Sequence, residues 1–141
     1  MSNQRTPVRA VIFLIMPLLL GATVPEDGEQ FVCSLTETIE CDTDLNCGPP
    51  APGLPPPTFI HVDLENSRIT LLAPEVRRGE TTQIRATERD GDSVIMSGIE
   101  AGLGWSMAVS DTDGSALVTV NLGDASLVSV GQCIAESRVT P

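Results

Sequence analysis

Few side chains in this 141-residue sequence stand at spacings that suggest chemistry. Ser106 comes nearest. It lies in Gly104-Trp105-Ser106-Met107-Ala108, close to the G-x-S-x-G turn that exposes a nucleophilic serine in α/β hydrolases. That turn needs a strand–turn–helix context and a histidine further along the chain. The only histidine, His61, lies upstream, and the residues after Ser106 alternate as a strand does. His61 shares a short segment with Asp63 and Glu65, and carboxylates at that spacing can raise an imidazole pKa for acid–base work. An exposed histidine beside acids on a sheet surface gives the same pattern without chemistry. A small hydrolase using Ser106 or His61 is therefore the weaker alternative, and no residue is assigned a catalytic role.

Asp90-Gly91-Asp92 and Asp111-Thr112-Asp113-Gly114 have the look of calcium loops. Calcium takes six to eight oxygens from a longer register, whereas Asp and Gly between two strands are ordinary turn residues. No metal and no cofactor is expected. The four cysteines read as disulfides, because a single histidine cannot complete a zinc set of ordinary spacing. Three pairings are formally open. Cys33 and Cys41 on one extended strand would be ~26 Å apart, well beyond disulfide reach. Cys41 and Cys47 enclose the turn-rich Asp-Thr-Asp-Leu-Asn and can meet, which leaves Cys33 to join Cys133. For binding, the stretch to examine first is the hairpin tip around Glu100, with Ser97 and Trp105 beside it. Gly98, Gly102 and Gly104 there permit either a tight turn or close approach of a partner.

The elements that must hold these residues read as strands. Trp105, Met107 and Val109 alternate with Ser106, Ala108 and Ser110, the period of a sheet with one buried face. Since Trp105 is the only tryptophan, the hairpin Arg89–Ser110 is expected to anchor the core. Phe31, Cys33, Leu35, Ile39 and Cys41 share a face of an earlier strand, and Glu37 interrupts that face as a bulge or rim position would. Residues 43–58 hold six of the eleven prolines and form a stiff loop. Phe59–Glu65 should bury Ile60, Val62 and Leu64 and expose His61, Asp63 and Glu65, with Asn66-Ser67 as a two-residue turn into Arg68–Leu72. Thr81–Glu88, Ala116–Leu122 and Ser126–Ile134 complete about eight strands. The expected fold class is all-β: an antiparallel meander closed as a small up-and-down barrel or curled sheet, with a two-sheet sandwich as the alternative.

The amino terminus reads as export machinery. Arg5 and Arg9 precede the apolar run Ala10–Ala22, which contains Pro17 and is too short to span a bilayer but right for a signal-peptide core. The expected organisation is a signal peptide over 1–22, a lead-in over 23–30, one β domain over 31–134 and a tail over 135–141. The compartment is then the periplasm or the exterior, where an even cysteine count forms disulfides. The formal net charge is −11, from 8 Arg and no Lys against 19 Asp and Glu. Two of those Arg and no acid lie in residues 1–22, so cleavage leaves 6 Arg against 19 acids, or −13. That balance repels phosphate backbones and anionic membranes, so neither nucleic acid nor, once the leader is removed, a membrane is an expected partner. An unknown protein or small ligand remains.

The early Phe31-Val32-Cys33, the core SGIEAGLGWSM and the terminal VSVGQC together resemble a group of small exported bacterial proteins with no assigned activity. The plan of an early Cys, a β-meander and a late Cys also resembles the periplasmic inhibitors of c-type lysozyme. That likeness implies a small β-barrel and inhibition of an extracellular hydrolase. Those inhibitors carry a Ser-Gly loop followed by Tyr and Lys. Here Ser97-Gly98 is followed by Ile99-Glu100-Ala101, and the chain has neither Tyr nor Lys. The reading reached from sequence is a non-catalytic, exported binding module, with a hydrolase inhibitor as the first alternative.

Overall fold

The computed structural model describes residues 29–136, all-β apart from one 3-10 turn at Glu75–Arg77. Its strands are β1 (Gln30–Asp42), β2 (Cys47–Gly48), β3 (Phe59–Asp63), β4 (Arg68–Ala73), β5 (Thr81–Gln83), β6 (Ala86–Asp90), β7 (Ser93–Glu100), β8 (Leu103–Ser110), β9 (Ser115–Asn121) and β10 (Ala125–Ala135). They form one antiparallel, curled sheet in the order β5-β4-β3-β1-β10-β9-β8-β7-β6, with the two-residue β2 added beside β1. Apart from β1 against β10, and with β2 set aside between β1 and β3, neighbours follow each other along the chain, as in a meander. The two ends of the path, β5 and β6, are successive pieces of one segment joined through Ile84 and Arg85, and the Arg85 N–H donates to Ser97 O at 2.8 Å. The expected signal peptide and most of the lead-in and tail lie outside the described residues.

Alternation builds the core. Phe31, Cys33, Ile60, Val62, Ile69, Leu71, Val94, Met96, Met107 and Val109 occupy every second position of their strands and are buried together. Phe31, Met96 and Met107 are its largest fully buried side chains. Trp105 packs against this cluster without being enclosed by it, so the tryptophan borders the core and does not centre it. Cys33 and Cys133 sit directly opposite on β1 and β10 and are bridged, as are Cys41 and Cys47 on β1 and β2. No described cysteine is free.

Four local expectations change. On β1 the register slips between Leu35 and Glu37, and the extra residue, Thr36, sends its hydroxyl to Val130 O. The bulge reverses the face of everything beyond it. Thr38 turns inward to bond Ser129 at 2.8 Å, while Ile39 turns outward and is 43% exposed. Between β3 and β4 the turn is four residues, Leu64–Ser67, because Asp63 organises it: its carboxylate accepts the Asn66 N–H at 2.9 Å and the Asn66 side-chain amide at 2.8 Å. Asp63 is consequently buried at 4% exposure instead of pointing to solvent. The expected strand over Thr81–Glu88 divides into β5 and β6, since its two halves pair with β4 and β7 respectively. The proline-rich stretch is a loop from residue 49 onward, but before that it holds a turn over residues 43–46 and β2, a pairing the disulfide holds in place.

Candidate functional site

The hairpin of β7 and β8 turns on Ala101 and Gly102, whose φ angles of 49° and 82° are those of a two-residue primed turn. Opposite each other, two pairs back from the turn, stand Gly98 and Trp105. The indole lies across Gly98: a Cβ there would fall 2.6 Å from Trp105 Cζ2 and 2.5 Å from the Gln83 carbonyl oxygen. Glycine is what lets the ring cover the backbone at this point. The indole Nε1–H then donates to Thr82 Oγ1 at 3.1 Å, tying β8 to β5. The single tryptophan is thereby fixed in position, flanked by backbone on one side.

Beside the indole is an open depression of about 410 Å³ gathered from β7, β8, β9 and β10. Its walls include Trp105, Val120, Ser106, Thr119, Asn121 and Ser126. None of these side chains titrates near neutral pH. The register divides them: the Trp105 and Val120 side chains belong to the core-facing side, and those of Ser106, Thr119, Asn121 and Ser126 to the outer side. The outer side thus offers three hydroxyls and an amide, which suits recognition of a neutral polar group better than proton transfer.

Of the residues singled out at the tip, Trp105 borders this depression and Ser97 does not stand with it. Ser97 shares the outer face with its partner Ser106 but does not line the depression, whereas Trp105 belongs to the alternation that faces the core. Glu100 closes the strand opposite Leu103 at the exposed rim of the hairpin. Comparison with known proteins finds no matching family, no matching curated protein and no matching solved structure.

Ser106 and His61 are not brought together. The Ser106 hydroxyl is paired with Thr119 Oγ1 at 2.7 Å. His61 lies on β3, which β1, β10 and β9 separate from β8, four strand spacings or about 19 Å along the curved sheet. Its Nε2 is 3.5 Å from Glu136 Oε2. Neither residue has the other as the base or nucleophile a hydrolytic pair requires. Among the described residues no group of three or more His, Cys, Asp or Glu could hold a metal ion. The two aspartate-glycine turns make their own bonds. Asp111 Oδ2 meets Arg89 Nη1 at 3.1 Å, the Asp111 N–H donates to Asp92 O at 2.7 Å, and Asp113 Oδ1 accepts the Ser115 N–H at 2.9 Å. The hydrogen bonds from Ser115, first that of its N–H, and then that of the Ser110 side chain hold the Asp113 carboxyl below its ordinary pKa. Among the described residues no helix is long and apolar enough to cross a membrane.

The residues that sequence reasoning missed are Thr119, Val120, Asn121 and Ser126, the β9–β10 wall of the depression. They carry no motif. Their signal was topological: a meander in which β8 pairs with β9 must place the end of β9 beside Trp105, as Trp105 opposite Val120 shows.

Proposed function

We propose that this protein is an exported, non-catalytic binding module of the envelope or extracellular space, and that it seats its ligand beside Trp105. The observation carrying this reading is the depression itself: where Thr82 holds the indole on the core-facing side of β8, Ser106, Thr119, Asn121 and Ser126 present three hydroxyls and an amide on the outer side, with no titratable group among them. The depression is open and largely polar, and its volume of about 410 Å³ is large enough to seat a small polar group. Export is supported by the basic and apolar amino terminus and by two disulfides in a chain without a free described cysteine.

Because Trp105 is the only tryptophan, its emission reports on this place alone. Titration with soluble cell-wall oligosaccharides, neutral peptides and envelope extract fractions should give a saturable change in that emission with at least one of them. Thr82→Val should alter the response by releasing the indole. A panel that leaves the emission unchanged, with calorimetry also registering no heat of binding, would overturn the proposal.

A further inference from the structure

We infer that the outer face of β7–β10 is a docking surface for a cationic protein, one presenting an apolar stripe flanked by lysine or arginine. The inference rests on the binding-module reading and assigns that module a second surface, an apolar row that borders the depression at Ser106 and Thr119. Its basis is the register. Ile95 on β7 pairs with Ala108 on β8, Ala108 with Leu117 on β9, and Leu117 with Val130 on β10. One row of four apolar side chains therefore crosses four strands. All four point away from the core, since it is their chain neighbours Val94, Met96, Met107, Val109 and Ala116 that are buried. Ile95, Leu117 and Val130 are 42%, 45% and 42% exposed, and Ile39 with Val128 extends the patch in the adjoining row. A solvated sheet face ordinarily alternates to polar, and scattered apolar residues need no account, but a contiguous row does.

Charge decides what fits. The row ends at Glu88 of β6, opposite Ile95, and at Glu37 of β1, opposite Val130. No basic side chain stands in this row, nor in the adjoining one formed by Ala86, Ser97, Ser106, Thr119, Val128 and Ile39. From Glu88 to Glu37 is five strand spacings, about 24 Å along the surface, which an amphipathic helix of about 16 residues would cover. A second copy of this chain fits poorly: whichever way a two-fold mate is laid along the row, acid meets acid. Electrostatic complementarity of this kind selects partners and speeds encounter, while the apolar centre supplies the contact.

The test is fluorescence anisotropy of the purified protein with two labelled amphipathic peptides of about 16 residues, sharing one leucine face. One is flanked by Lys and the other by Glu. The Lys-flanked peptide is expected to bind, more weakly as salt rises, and the Glu-flanked one is not. Leu117→Asp should weaken binding about tenfold or more. The double substitution Glu37→Lys, Glu88→Lys should reverse the preference between the peptides without touching the apolar row. Equal binding of both peptides, or of neither, overturns the inference. So does a dimer in sedimentation that Leu117→Asp dissolves, which would give the face to a second copy. Binding that ignores Leu117→Asp but shifts Trp105 emission would also sink this surface while leaving the depression standing.

Discussion

Gly98 shows how little room the tip allows. Its missing Cβ is replaced by the indole of Trp105 and by the Gln83 carbonyl, so Gly98→Ala must push one of them aside. Overpacking of this kind costs roughly 1–3 kcal/mol. A denaturant melt followed by tryptophan emission should show the lower midpoint together with a changed native signal, because the ring itself moves. Asp63 makes a different single-residue case. Its burial raises the carboxyl pKa, but the Asn66 side-chain and backbone N–H groups, with the charges of His61 and Arg68, outweigh that and leave it below its ordinary value. A depressed folded pKa means that the unfolded chain binds the proton more readily. The resulting stability is fully present above the unfolded value of about 3.9 and is lost as pH falls through it towards the folded value. Urea midpoints should therefore drop below about pH 4, and Asp63→Asn should flatten that fall without abolishing it. Asp42, held down by Asn46, and Asp113, held down by Ser115, titrate in the same direction. From the sequence, Asp63 reads as a solvent-facing acid, since alternation carries no information about a turn that needs a carboxylate to organise it.

At the scale of the strand, one inserted residue decides the energetics of β1. Read as an unbroken strand, Leu35 and Ile39 are equivalent core positions and Glu37 is the anomaly. With Thr36 bulged, Glu37 is the ordinary outward residue and Ile39 has gone out with it. The partner strand accommodates the bulge at Gly131, where a Cβ would run into the Ser34 carbonyl oxygen. Two substitutions separate the alternatives. Leu35→Ala should cost about 2–5 kcal/mol as a buried truncation. Ile39→Ser, on the exposed face, should stay within about 0.5 kcal/mol. Equal losses in chemical denaturation would mean that the strand runs without a bulge. Most elements were legible because period-two alternation and Gly/Asp turns are local signals: the turns at Gly91, at Ala101-Gly102 and at Gly123 fall where the composition places them. The bulge, the two-residue β2 and the division into β5 and β6 were not, because each is set by which strand lies alongside. The candidate site was half legible for the same reason. Trp105 marks itself by size, but its neighbours on β9 and β10 are ordinary Ser, Thr, Asn and Val brought in by pairing.

At the scale of the whole molecule, the sheet is held in its curl by two devices. One is the continuous segment β5–β6, which serves both ends of the strand path. The other is the contact of β1 with β10, where the two most distant parts of the described chain meet and Cys33 is bridged to Cys133 across a separation of 100 residues. The second bridge, Cys41–Cys47, spans only 6 residues and fastens the short β2 to the far end of β1. If a disulfide acts mainly by restricting the unfolded chain, the two should differ by their loop lengths. The chain-entropy relation gives about 5 kcal/mol for the long loop and a little over 2 kcal/mol for the short one. Location adds to the difference, because Cys33 and Cys133 belong to the core cluster whereas Cys41 and Cys47 do not. Replacing Cys33 and Cys133 by Ser also leaves two polar groups in the core, so the clean comparison is Ala at both positions of each pair. The Cys33→Ala, Cys133→Ala protein should lose most of a marginal stability, typically about 5–15 kcal/mol in total, and melt far below its parent. The Cys41→Ala, Cys47→Ala protein should fold with a modestly lower midpoint and unchanged Trp105 emission, since β2 is remote in pairing from β8. Equal destabilisation by the two replacements would show that the long closure contributes no more than the short one, and that the β1–β10 ladder alone draws the ends of the sheet together.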